Sequence, residues 1–143
     1  MANPLLGPVV ALVAWTLVML VWLAAVRGKA VRKARINIMA SKGGRGQNLE
    51  GVLPDEANWP AHNYAHLMEQ PTLFYAIVLT LVAMGDTIAI NLWLAWGYVG
   101  LRVLHSIVQT TINRVAIRFP IFALSTLCLV GLTVHAGARL LHG

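Results

Sequence analysis

Charge is scarce in this chain and negative charge scarcer: only 11% of its 143 residues are charged, with five Asp and Glu against eleven Lys and Arg. A soluble domain ordinarily carries about a quarter charged residues, so this composition lies outside the usual soluble balance. Cysteine is nearly absent as well. The single Cys128 excludes an intrachain disulfide framework and leaves the redox compartment open; lying in an apolar run, it reads as a small packing residue. The sequence has no internal repeat and no low-complexity segment, so one compact unit is expected. No nucleic-acid module accompanies the net charge of +6, which argues against nucleic acid as the partner of the basic residues.

What is abundant is apolar surface: 58% of the residues are hydrophobic and the mean hydropathy is +0.69. The expected fold class is all-α, an integral membrane four-helix bundle. Leu5 to Val26 is 22 residues without a charge, enough to cross a hydrocarbon core of about 30 Å at about 1.5 Å per residue. It reads as a retained membrane helix rather than a signal peptide, because no basic residue precedes it and its apolar run is too long. Expected helices cover about 5–35, 60–84, 88–113 and 120–140, with a loop over about 36–59. The basic residues Arg27 to Arg35 extend the first helix past the membrane surface. Glycines and prolines from Gly43 to Pro60 break the chain into a surface loop, and Pro120 is read as opening the fourth helix.

Basic residues set the expected orientation. Nine of the eleven lie in 27–66 or around Arg114 and Arg118, which four helices place on the same side. The positive-inside rule then makes the long loop cytoplasmic and puts both termini on the opposite side.

Chemistry is sought among polar residues that a membrane would reject. Arg102, His105, Gln109 and Asn113 recur at steps of three and four, along one side of the third helix. Glu69 and Arg102 are ionisable at membrane depth, where such groups face the bundle interior and pair; an ion pair or shared network between them is expected, either to lock packing or to bind a polar ligand. His62, His66 and Glu69 share a helix face at i, i+4 and i+7, but no HExxH or ExxH is present and no metal site is expected. His135 reads as a satisfied packing histidine. Arg114 and Arg118, at i, i+4 where the third helix gives way to the fourth, suit carboxylates or a thiolate, with lipid headgroup anchoring as the alternative.

The stretches HNYAHLMEQPTLFYA (62–76) and RVLHSIVQTTINRVAIRF (102–119) resemble the MAPEG family, membrane-associated proteins in eicosanoid and glutathione metabolism, in a bacterial-type form similar to microsomal glutathione transferases. The resemblance implies a homotrimer with glutathione, as co-substrate, bound between subunits near the cytoplasmic side. It implies a membrane-bound glutathione-dependent transferase or peroxidase acting on hydrophobic electrophiles that arrive from the bilayer. The alternative it carries is a non-catalytic lipid-binding or accessory protein. By the same resemblance Arg118 activates the thiolate, and Arg114 contacts the peptide. Glu69 holds its amino group, with His66 where the family usually has Asn. Arg102 and His105 match an RxxH pattern, and Arg27 is the arginine after the first helix, with Arg32 as the other choice. Gln109 and Phe119 depart from the family's hydroxyl-bearing residues.

Overall fold

The computed structural model describes residues 2–40 and 42–142. They form four long helices, α1 (Leu6–Lys33), α2 (Asp55–Ala83), α3 (Ala89–Thr111) and α4 (Val115–His142), with two short 3-10 turns, Ile38–Ala40 and Gly46–Leu49, in the loop after α1. This bears out the all-α, four-helix reading. α1, α2 and α4 are each long and apolar enough to cross a membrane. The most apolar stretch of α1 has a mean hydropathy of 2.6, yet only 17% of it is buried within the chain. Val21, Leu73, Leu127 and Val134 stand outward, where hydrocarbon rather than water is the compatible solvent.

Helix ends follow from local chemistry. α1 and α2 close alike: the residue after the C-cap takes the left-handed conformation (Arg35 at φ 56°, Gly85 at φ 67°). The next amide then reaches back to close the turn, Ile36 to the Val31 carbonyl at 3.2 Å and Asp86 to the Leu81 carbonyl at 2.9 Å. Asn113, at φ 50°, ends α3 in the same left-handed region, its amide 2.7 Å from the Val108 carbonyl.

Two expected starts are corrected. α2 begins at Asp55 rather than near 60: Pro54 precedes it, and Asp55 and Glu56 occupy the first turn, where carboxylates favour the positive end of the helix dipole. Pro60 and Pro71 lie inside α2. α4 begins at Val115, and Pro120 sits within it instead of opening it; the helix has already restarted after the Asn113 turn. The loop is correspondingly shorter than 36–59, since Asp55 to Trp59 belong to α2.

The main core runs along the bundle through Leu12, Met19, Phe74, Val78, Tyr98 and Leu132. Phe74 and Tyr98 stack, with centroids 4.4 Å apart and planes 8° from parallel. A smaller cluster of Val31, Leu53 and Ala57 binds the loop to the ends of α1 and α2. α3 turns its polar residues inward: Arg102, His105, Ser106 and Gln109 are all buried. That inward stripe explains how a helix carrying an arginine fits among apolar neighbours.

Candidate functional site at the loop end of the bundle

The end of the bundle that carries the long loop gathers most of the ionisable groups, in two neighbouring clusters that share α2. The first lies between α1, the loop and α2. It is a cleft of about 730 Å³ whose polar lining includes Arg27, Arg45, Gln47, Glu50, His62 and Tyr64. Arg27 leaves the last third of α1 and donates from Nη2 to Asn58 Oδ1 at 3.1 Å, while Asn58 Nδ2 donates to the Leu49 carbonyl at 3.4 Å. The guanidinium thus ties α1 to α2, and through Asn58 to the loop. Its Nε is buried without a protein partner. His62 Nε2 lies 3.0 Å from Glu50 Oε1, fastening the loop to α2 a second time.

The second cluster joins α2, α3 and α4. His66, His105 and Phe122 form a triangle of rings, with centroids 5.9 Å apart for the two histidines and 6.2 Å for His105 and Phe122. Arg102, 1% exposed, donates from Nε to Tyr98 Oη at 3.2 Å and lies over the faces of Tyr98 and Phe122, at 5.6 and 5.3 Å. Tyr98 Oη in turn donates to Gln70 at 3.4 Å, and Gln70 Nε2 donates to Thr126 Oγ1 at 2.9 Å. Arg118 donates from Nη1 to Asn113 Oδ1 at 2.8 Å. Both Arg102 and Arg118 are close enough to act electrostatically on His66 and His105. Asn113 also borders a small cleft of about 270 Å³ with Glu50 and His62, so the α3–α4 turn meets the loop there.

The seven residues to which the resemblance gives a role, Arg27, His66, Glu69, Arg102, His105, Arg114 and Arg118, all lie at or near this end, but they are not one network. Arg27 belongs to the first cluster, and His66, Arg102, His105 and Arg118 to the second. Arg114 is exposed in the turn just before α4. The expected Glu69–Arg102 ion pair is contradicted. Glu69 points away from the bundle with 68% of its side chain exposed and approaches His66 at 3.5 Å, whereas Arg102 is held by aromatic faces. The reason is helical phase: Glu69 lies on the outward side of α2, while Leu67, Pro71 and Phe74 on the same helix turn inward.

Sequence reading passed over Arg45, Glu50, Asn58 and Tyr64 as site residues. Arg45 stands between Gly44 and Gly46, and that run was the local signal available for it. It also passed over a buried polar assembly at the opposite end. There the Asp86 carboxylate, 0% exposed, pairs with Arg139 and accepts from Asn91 Nδ2 at 2.9 Å, while Asn91 Oδ1 meets the His135 ring. Asn3 Nδ2 donates to the Asp86 carbonyl at 2.8 Å. His135 is thus a satisfied packing histidine, as expected.

The arrangement at the loop end presents uncompensated positive charge to small anions. Among the described residues, neither Arg27, Arg45, Arg114 nor Arg118 forms an ion pair within the chain. No curated protein and no solved structure matches the chain. A sequence model of the MAPEG family matches residues 5–138, nearly the full length. With its four helices, its membrane-compatible outer surface and that match, the chain is an integral membrane protein belonging to the MAPEG family.

Proposed function

We propose that this protein is a membrane-bound glutathione-dependent transferase or peroxidase acting on lipophilic electrophiles. One observation carries the reading: Arg118, at the start of α4, is oriented by the neutral side chain of Asn113 at 2.8 Å rather than by a carboxylate. A neutral partner fixes the guanidinium without cancelling its charge, which leaves that charge for an anion. The thiolate, not the thiol, is the nucleophile. A thiol of pKa about 8.5 is only a few per cent ionised at neutral pH, so a nearby arginine that lowers its pKa by one unit raises the reactive fraction roughly eightfold.

In a conjugation, the glutathione sulfur forms a bond to an electrophilic carbon of the substrate, and the leaving group departs with its electron pair. With a hydroperoxide, sulfur attacks oxygen and the O–O bond breaks. The alcohol takes up a proton, and a second glutathione completes the disulfide and releases water. Arg118 is the catalytic residue in both reactions. Arg114 and Arg27 contact the peptide carboxylates, His66 and Glu69 its amino end, and Arg102 with His105 holds the α2–α4 wall of the site. Glu69, exposed on one chain, and Arg27, in a different cluster from Arg118, are consistent with a homotrimer whose sites lie between subunits. The long loop is cytoplasmic in this reading, with both termini opposite.

The test is an ultraviolet thiolate titration of bound glutathione in the parent protein and in Arg118→Ala. The parent is expected to ionise the thiol well below its free pKa, and Arg118→Ala to abolish the shift. Absence of any shift in the parent would overturn the reading.

A second reading, a non-catalytic lipid-binding or accessory protein, draws support from the apolar groove of about 550 Å³ between α2 and α4, lined by Leu73, Ile77, Leu129 and Val130 among others. Turnover of a chloronitrobenzene or a lipid hydroperoxide that is lost in Arg118→Ala would eliminate it.

A further inference from the structure

Gly46 has no room for a side chain beside Arg27. A Cβ built on Gly46 would lie 2.6 Å from Arg27 Nη1 and 3.7 Å from Arg27 Cζ, well inside van der Waals contact for the first. Gly46 is not in the left-handed region, so a side chain there is opposed by the guanidinium and not by backbone strain. The opposing atom is the far end of a flexible side chain. Enlarging Gly46 therefore displaces Arg27 from Asn58, at a cost the fold can absorb.

Arg45, the residue before Gly46, lines the same cleft as Arg27, and Glu50 and His62 line it as well. The cleft thus carries two guanidinium groups against one carboxylate, and that carboxylate reaches only a half-exposed histidine. Its net positive charge complements a carboxylate, which two guanidinium groups can grip together.

We infer that the Arg45–Gly46 step of the loop is a carboxylate clamp: Gly46 seats the Arg27 guanidinium, Arg45 joins it, and the pair grips one carboxylate, the glycyl one, so that thiol co-substrates in which it is free are selected. This rests on the glutathione-dependent reading and adds a specificity device to it. Arg45 acts by direct contact with a carboxylate, and Gly46 is a positioning residue that acts through Arg27. The Gly-Arg-Gly run then has a purpose beyond flexibility, since the glycine after Arg45 permits the close approach of backbone to guanidinium.

The experiment uses the full-length protein in lipid nanodiscs. It measures binding of glutathione and of its glycyl monoethyl ester, which masks one carboxylate, together with KM and kcat for glutathione at saturating chloronitrobenzene. The parent is expected to bind glutathione about tenfold or more tighter than the ester, the discrimination a charge-assisted hydrogen bond supplies. Arg45→Gln and Gly46→Ala are each expected to bring that ratio near one. They do so by weakening glutathione and not the ester, with the change in KM rather than kcat and, for Gly46→Ala, with only the modest loss of melting temperature that release of the Arg27–Asn58 bond brings. Lys42→Gln removes a positive charge from the same loop outside this cleft and is expected to leave the ratio at the parent value. If Arg45→Gln and Gly46→Ala keep the parent's preference, or if Lys42→Gln loses it equally, the clamp is overturned while thiol binding stands. If the parent binds neither ligand, the thiol reading falls and the clamp with it.

Discussion

Arg102 holds its guanidinium carbon 5.3 Å from the centroid of the Phe122 ring, across the contact between α3 and α4. A buried cation without a carboxylate is normally costly. Here two aromatic faces and the Tyr98 hydroxyl surround it. Desolvated cation–π contacts are worth about 2 kcal/mol. Phe122→Leu is therefore expected to lower the stability of the solubilised protein by about 2 kcal/mol, read from its thermal melt. Glu69→Gln is expected to change stability by less than about 0.5 kcal/mol, as an exposed substitution does. A double-mutant cycle between Arg102→Gln and Glu69→Gln tests the same point: a coupling near zero is expected, and a coupling above about 1 kcal/mol would restore the ion pair.

Asn113 has two separable duties, since its backbone is left-handed at φ 50° and its side chain accepts from Arg118. Asn113→Gly keeps the backbone freedom and deletes the acceptor. It is expected to fold with a melting temperature near the parent's while weakening thiolate stabilisation of bound glutathione. Asn113→Val, whose branched side chain resists positive φ, is expected to lose stability as well. Equal thiolate titrations for the parent and Asn113→Gly would show that the Asn113–Arg118 bond does not matter to the chemistry.

Arg118→Ala is expected to reduce kcat/KM for a generic electrophile by about a hundredfold, the usual loss when one donor to a developing anion is removed. Arg118→Lys is expected to recover part of that loss, since the charge returns without the planar fork. Both variants are checked by steady-state kinetics with glutathione in excess.

At the opposite end, Asp86 is fully buried whereas 37% of the Arg139 side chain remains exposed. The two halves of the pair therefore differ in what their loss leaves behind. Arg139→Leu strands a buried carboxylate and is expected to cost about 3 kcal/mol. Asp86→Asn leaves an arginine that can turn to water and is expected to cost about 1–2 kcal/mol. Melting temperatures order the two variants, and the reverse order would show that Asp86 is better solvated than its burial indicates.

Gly131 on α4 faces α3 closely: a Cβ there would meet Leu94 Cδ1 at 3.1 Å. Gly131→Val is expected to separate the helices and cost about 1–3 kcal/mol, the usual penalty of overpacking. The simultaneous substitution Leu94→Ala is expected to recover part of it, a non-additivity that a mutant cycle measures.

Helix starts were less legible than helices. Proline was read as a boundary at Pro60 and Pro120, yet both lie near the beginning of a helix that had already formed. Each is the sixth residue of its helix and removes one amide from the second turn, opposite the carbonyl of Glu56 or Ala116, both exposed residues. The better signal lay in the sequence all along, as Pro54 followed by Asp55 and Glu56. Asp86 was harder to read. A turn aspartate and a buried anchor look the same locally, and its partner Arg139 is 53 residues away along the chain.

By itself, the sequence determined the solvent and the elements. Long uncharged runs require hydrocarbon, and polar residues at steps of three and four on α3 require an interior, because neither requirement depends on which residue lies opposite. Tertiary structure decided the partners. Whether Arg102 met Glu69 or Phe122, and whether Gly46 sat beneath Arg27, depends on the rotation of each helix about its axis and the path of the loop. Those are set by the packing of side chains far apart in the chain, and local composition carries no record of them.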